Sequence, residues 1–222
     1  MTLSRNKKGE FTRLNPKILI KKYSEELAEF IGIMLGDGNL NSPSGDKHYQ
    51  IRICGHNINS REYFFNFVIP LSNRLFGVKF KIYEKPENHQ LYLVIGNKNL
   101  FYTLIKIGLV AGNKKKNNVS IPKWIFKDKK YIKACIRGLI DTDGCVVPIT
   151  GRNYTYIWFK SIIPNLRNSF SKAMNILDYK IAKWSGKETP QTYIGKKDLI
   201  RKYYKEIGFH NPYHIRRFMM PR

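Results

Sequence analysis

Phe30-Ile31-Gly32-Ile33-Met34-Leu35-Gly36-Asp37-Gly38 returns later in the chain as Ile136-Arg137-Gly138-Leu139-Ile140-Asp141-Thr142-Asp143-Gly144, with Asp143 standing 106 residues after Asp37. The echo does not stop there. Ile95-Gly96-Asn97-Lys98-Asn99-Leu100 returns as Ile194-Gly195-Lys196-Lys197-Asp198-Leu199 at an offset of 99, and Ile107-Gly108-Leu109 as Ile207-Gly208-Phe209 at an offset of 100. Three matches in one order at nearly constant offset mark a tandem duplication, and the two copies must share one fold.

Working outward from the first copy, Ser24 is placed to cap a helix, with Glu25 and Glu26 in the first turn where the helix dipole favours anions. Leu27, Phe30, Ile31 and Met34 follow at helical spacing to Leu35, and a second such helix runs from about Lys129 to Asp141. Alternating segments come after each Asp-Gly, clearest at Tyr49–Ile53 and Tyr154–Trp158. Helical segments are expected at Ser60–Leu75 and Ile163–Leu177, and further alternation at Val78–Tyr83 and Gln90–Ile95. Each half reads α-β-β-α-β-β-α, an α+β chain of two pseudo-symmetric repeats. The expected divisions are a basic arm at 1–23, a first repeat at 24–109, a linker at 110–122 carrying Lys114, Lys115 and Lys116, and a second repeat at 123–222.

Forty Lys and Arg against 16 Asp and Glu leave a net charge of +24 on 222 residues, a balance that calls for a polyanionic partner. With 42% hydrophobic and 14% aromatic residues the chain is no disordered basic tail. The longest apolar run, Phe30–Leu35, falls far short of the ~20 residues that span a bilayer, so no membrane is expected. Cys54, Cys135 and Cys145 form no CxxC pair and fit no closed disulfide framework. His210 and His214 have a zinc-like spacing without an upstream Cys pair, and read as ordinary surface histidines. Met1–Lys22 lacks a signal-peptide apolar core, and Glu10 and Pro16 argue against a transit peptide. An intracellular setting is expected: the cytoplasm or nucleoid of a prokaryote, or an organelle.

Ala28, Gly32 and Gly36 lie four apart on one face of the first helix, and Ala134, Gly138 and Thr142 do so on the second. Small residues at that spacing let two helix backbones approach closely. The packing has a chemical consequence. Asp37 and Asp143 stand at the helix C-termini, with Gly38 and Gly144 suited to left-handed caps. A carboxylate at the negative end of a helix dipole is destabilising, and two of them close together resist joint ionisation. Divalent cations relieve that conflict; Mg²⁺ suits it, taking one or two carboxylates with water and phosphate oxygens completing its octahedron. Metal ions held by two acids beside a polyanion make a phosphodiester hydrolysis site.

These residues resemble the LAGLIDADG homing endonucleases in their single-chain, two-motif form. Ile136–Gly144 matches the motif closely, with Arg137 where Ala is usual; Phe30–Gly38 departs further, with Leu35 and Gly36 before the acid. The metal-binding eighth residue of the motif falls on Asp37 and Asp143, and the sixth-position acid is present only as Asp141. The resemblance covers about residues 24–220. It implies a curved four-stranded antiparallel sheet in each half, together a saddle over the DNA major groove, and metal-dependent cleavage of both strands of a long target, leaving 3′ overhangs. It further implies a monomer with two or three divalent cations between the motif helices, with the backbone carbonyls of Gly36 and Thr142 as further ligands.

The alternating segments point to DNA on their own terms. Their polar faces carry Gln50, Arg52, Lys79, Lys81, Tyr83, Gln90 and Tyr92 in the first half and Tyr154, Tyr156, Trp158 and Lys160 in the second. Arg and Gln read guanine and adenine edges, while Lys contacts phosphate. His56, Lys115, Lys116, Lys160 and Arg216 are candidates for supporting the chemistry, with phosphate contact as the plainer role. An intein origin is disfavoured, because His210-Asn211 is followed by Pro212 and not by a nucleophile. An RNA maturase acting on intron RNA and a non-cutting DNA-binding protein are the competing readings. Retention of two mutually repelling aspartates leans toward the nuclease.

Overall fold

The structure is a computed structural model that describes residues 3–5, 11–13, 20, 22–42, 49–149 and 154–219. Two short strands of the basic arm, β1 (Leu3–Arg5) and β2 (Phe11–Arg13), pair antiparallel; Glu10 and Pro16 lie outside the described residues.

Helix α1 (Glu25–Gly36) begins as the sequence asks: Ser24 is extended and its hydroxyl accepts the Leu27 N–H at 3.1 Å. Every residue from Leu27 to Gly36 is buried, apolar but for Glu29, as befits a helix enclosed on all sides. Strands β3 (Gly38–Asn41) and β4 (Gln50–His56) follow. A helical stretch of α2 (Arg61–Tyr63), a π-turn (Phe64–Val68) and α3 (Ile69–Phe76) comes next. In a regular helix the ring of Pro70 would clash with the Asn66 carbonyl, and the wider π-turn relieves the clash. Then come β5 (Lys81–Lys85), β6 (Gln90–Gly96) and α4 (Lys98–Lys106). The second half runs α5 (Lys129–Asp143), β7 (Gly144–Pro148), β8 (Thr155–Lys160), α6 (Pro164–Ile176), β9 (Gln191–Ile194), α7 (Lys197–Glu206) and α8 (Pro212–Met219).

The first sheet has four antiparallel strands in the order β3-β4-β6-β5, and the second three, β7-β8-β9. Among the described residues the second half therefore lacks the regular fourth strand expected of it. Residues 180–185 do lie beside β9: Ala182 N–H donates to the Tyr193 carbonyl at 2.9 Å, and Ser185 and Gln191 exchange both backbone bonds. Between these points the Thr192 hydroxyl donates to the Ala182 carbonyl at 2.6 Å, taking the acceptor that a ladder amide would use. A strand expected over Val78–Tyr83 instead spans Lys81–Lys85, because Gly77 ends α3 at φ 64° and Val78 and Phe80 go into the core. Helix α8 was not foreseen.

The motif helices pack directly against one another. A Cβ on Gly32 would overlap the Cys135 carbonyl, and a Cβ on Gly138 would overlap the Glu29 carbonyl. The two contacts are reciprocal under the 106-residue offset, the signature of a twofold relation between the repeats. One apolar core runs through both halves. The connection between them is also packed. Val119 and Ile121 are buried, the Trp124 indole N–H donates to the Ile107 carbonyl at 2.8 Å, and the same indole stacks on Tyr23 at 4.2 Å. Among the described residues no helix is long and apolar enough to cross a membrane.

Candidate active site and nucleic-acid faces

Direct backbone packing brings the ends of α1 and α5 together, and with them the two aspartates. A Cβ on Gly36 would overlap the Thr142 hydroxyl and stand 3.5 Å from the Asp143 carboxyl carbon. Gly38 and Gly144 are not left-handed caps; Gly144 is extended, at φ −89° and ψ 173°. They are small because each chain turns at once from helix into strand: a Cβ on Gly38 would lie 2.6 Å from the Met34 carbonyl oxygen, and one on Gly144 2.7 Å from the Ile140 Cα.

Asp37 is half-buried. Burial first, and then the like charge of Asp143, push its carboxyl up to about 8, while the Lys114 ammonium pulls the other way. Asp143 is raised as well, by the protein packed round its carboxyl and against the pull of Lys114, although the residue as a whole is exposed. Lys114 reaches back from the linker to the C-terminal end of α1. Its Nζ donates to the Leu35 carbonyl at 2.9 Å and to the Gly36 carbonyl, so its charge faces both the helix dipole and the two acids. Burial lowers the Lys114 ammonium, opposed by Asp143 and then Asp37. Sequence reasoning had placed Lys114 in the linker and given a supporting role to its neighbours. Lys115 and Lys116 are exposed, and three consecutive lysines carry no signal to tell which one turns inward.

The other candidates lie further out. His56 is exposed at the end of β4, where its Nδ1 accepts the Ile58 N–H at 3.2 Å and its ring stacks on His89. By register the residue beside Asp37 is Cys54, whose N–H donates to the Asp37 carbonyl at 3.1 Å; the corresponding position beside Asp143 is Lys160. Arg216 pairs with Glu62 at 2.7 Å and ties α8 to α2; Met220 and Pro221, beyond it, lie outside the described residues.

A second acidic group was missed. Glu29 on α1, Asp141 on α5 and His210 before α8 place ligand-type atoms within 4.8 Å of one another. Arg137 already supplies the cation. Its Nε and NH2 donate to the two Glu29 oxygens at 3.0 and 2.6 Å, and its NH1 donates to the Ile207 carbonyl at 2.8 Å. His210 Nδ1 meets Glu29 at 2.6 Å, and its backbone N–H donates to Asp141 at 2.8 Å. This network clasps the halves together. Arg137, standing where the motif usually has Ala, was the signal in the sequence: a guanidinium beside a helix contact requires a buried acid. The other histidine of the zinc-like pair, His214, is buried elsewhere, near the Ile140 and Asp141 carbonyls.

The exposed sheet faces collect the remaining candidates. Gln50 and Arg52 on β4, Lys81 and Tyr83 on β5, and Gln90 and Tyr92 on β6 share one face of the first sheet by register, with Lys79 exposed just before it. The Arg52 guanidinium lies 5.4 Å from the Tyr92 ring centre. Tyr154 stands just before β8, on which Tyr156, Trp158 and Lys160 share the corresponding face of the second sheet.

Comparison with known proteins agrees with this geometry. The LAGLIDADG-like domain family matches residues 130–208. I-DmoI in complex with DNA and Mn superposes with a TM-score of 0.60 at 17% identity, covering 83% of this chain and 96% of that one. The N-terminal LAGLIDADG domain of DUF199/WhiA superposes at 0.56 with 15% identity, covering 86% and 87%. Full-length DUF199/WhiA from Thermatoga maritima does so at 0.58 with 14% identity, covering 92% of this chain and 65% of that one.

Proposed function

We propose that this chain, which carries a LAGLIDADG-like domain and the fold that goes with it, is a site-specific, Mg²⁺-dependent DNA endonuclease of the homing type, encoded within an intron and active as a monomer. The observation that carries the reading is the meeting of Asp37 and Asp143 at the ends of two helices whose backbones touch. A protein that only binds DNA gains nothing from two repelling carboxylates at the negative ends of helix dipoles.

The donor set fits Mg²⁺: hard oxygens, two carboxylates in mutual repulsion, and the neighbouring Gly36 and Thr142 carbonyls. When bound, the cations supply an activated water and neutralise charge on the scissile phosphate. The chain's own groups do the rest. Asp37, its carboxyl raised to about 8, would have to release its proton to hold a cation. Lys114 holds a positive charge beside both acids and has a third donor to offer a phosphate oxygen. Arg52, Lys79, Lys81 and Lys160 hold the duplex, and Gln50 and Gln90 offer amides to base edges.

Duplex DNA containing the presumed insertion site, incubated with and without Mg²⁺, tests the reading. The wild type is expected to cut both strands only with the metal. Asp37→Asn or Asp143→Asn should slow cutting on the order of 10³-fold while affinity changes only a few-fold. Cutting by either variant at the wild-type rate overturns the assignment. A second reading, a DNA-binding protein that does not cut, draws on Lys114: its ammonium already sits at the Gly36 carbonyl, where a metal would gather. It predicts affinity indifferent to Mg²⁺ and no nicked product. Preferential retention of intron RNA without cutting would indicate a maturase.

A further inference from the structure

The two exposed sheet faces differ in chemistry more than duplication requires. On the first sheet the register sets Arg52 and Lys81 on either side of Val94, Tyr83 opposite Tyr92, and Gln90 between His56 and Lys85, so its two tyrosines stand among cations and hydrogen-bonding groups. On the second, Cys145 stands opposite Trp158, Val147 opposite Tyr156, and Trp158 opposite Tyr193. All five are part-exposed, and they make an apolar floor. Tyr156 and Tyr193 stack at 4.9 Å with an interplanar angle of 14°, and Trp158 leans on Tyr193 at 4.5 Å. A Cβ on Gly195 would stand 2.7 Å from the Tyr193 ring, so the missing side chain leaves that ring its place. The Trp158 indole N–H is covered and without a partner, so it is not presented for base readout. Lys160 and Gln191, a facing pair at the end of the strands, supply the polar edge.

Resting on the DNA-binding reading above, we propose that the two halves of the target are read by different means, the second through apolar contact of Tyr156, Trp158 and Tyr193 with thymine C5-methyl groups. Duplex DNA is the occupant because the face shares its register with a basic one on a chain of net charge +24. In the major groove the thymine methyl is the apolar feature of the base-pair edges, whereas the guanidinium and amides of the first sheet match guanine and adenine edges. The second half-site is accordingly thymine-rich, and its readout survives the loss of any one hydrogen bond.

Selection of bound duplexes from a randomised library, with cutting silenced by Asp143→Asn, gives the target; uracil then replaces thymine in one half-site at a time. Uracil keeps the pairing edge and removes only the methyl, a loss of about 4-fold in affinity for each buried methyl. On the order of 60-fold weakening is expected from three such methyls in one half-site, and under 3-fold from the other. Tyr193→Ser should lower the sensitivity at least 4-fold, and Arg52→Ala should leave it intact. Tyr193→Phe, which keeps the ring, should retain it and so separates methyl contact from a general loss of structure. Equal effects of uracil in both halves, or none in either, overturn the inference. So does equal affinity for the single strand, since base stacking on aromatic rings tolerates uracil. Selection of no duplex at all overturns the DNA-binding reading together with this one, whereas a selected duplex insensitive to uracil overturns this one alone.

Discussion

His214 shows at a single residue how burial sets a charge state. The ring is 4% exposed and its Nδ1 has no partner. Burial, helped by the Arg217 charge and opposed by the Ile140 and Asp141 carbonyls, pulls it down to about 4. A histidine depressed in the folded state contributes stability above its unfolded value near 6.5, and that stability is lost as pH falls from there towards 4. His214→Gln is uncharged throughout. Between pH 7 and pH 4.5 the wild type should lose about 2–3 kcal/mol more than the variant. Asp37 and Asp141, both raised, act in the opposite direction in both proteins and cancel in the difference. Urea unfolding at the two pH values measures it, and parallel losses would show that His214 is not held neutral by the fold. The sequence draws attention to His214 only through its spacing from His210, which reads as a surface pair and says nothing of burial. Its burial depends on α8, a helix of the second repeat with no counterpart in the described residues of the first. Asp37 and Asp143 stood out as candidates because each was written twice, whereas the partners of Glu29 are set by contacts made 108 and 181 residues away.

At the scale of elements, the helix pair tests whether small residues are there for the contact or merely by composition. Alanine in place of a helical glycine gains about 1 kcal/mol in propensity. At Gly138 that gain meets a wall of backbone, with the Ile33 amide nitrogen 2.9 Å from the new Cβ and the Glu29 carbonyl closer still. Backbone cannot rotate aside as a side chain does, so α1 and α5 must move apart. Overpacking of this kind costs 1–3 kcal/mol in ordinary cores, and against rigid backbone Gly138→Ala should fall at the upper end and lose about 2 kcal/mol net. Gly96→Ala is the control: its nearest neighbour is the Tyr49 carbonyl at 3.8 Å, and its stability should stay within about 1 kcal/mol of wild type. Chemical denaturation of the two variants decides, and a Gly138→Ala protein as stable as the control would mean that the helices do not touch. The helix starts and the order of elements were legible because caps and periodicity are local. The missing fourth strand of the second sheet was not, since it turns on where the Thr192 hydroxyl points. Nor was the register of β5, which Gly77 shifts by ending α3 in a left-handed turn.

Over the whole molecule the question is where the surplus charge goes. Most acids that form ion pairs lie on helices: Glu26 with Arg74, Glu62 with Arg216, Glu206 with Lys133, and Glu29 with Arg137 in the clasp between halves; Glu84, on β5 but off the face of Lys81 and Tyr83, pairs with Arg61. Among the described residues no ion pair joins Arg52, Lys79, Lys81 or Lys160 to a carboxylate. The basic side chains of the sheet faces, a part of the chain's net charge of +24, thus stand unneutralised beside a small acidic centre. Contacts to 6–10 phosphates would release counterions with a slope of log affinity against log salt of about −5 to −9. Lys79→Ala, Lys81→Ala and Lys160→Ala should each reduce that slope by about 1. Arg216→Ala should leave it unchanged, because Arg216 is already spent on Glu62. Titration of a bound duplex from low to high salt measures all four. A wild-type slope shallower than about −3, or an Arg216→Ala effect as large as the lysine ones, would mean that the excess charge lies away from the DNA and that the sheets are not the binding faces.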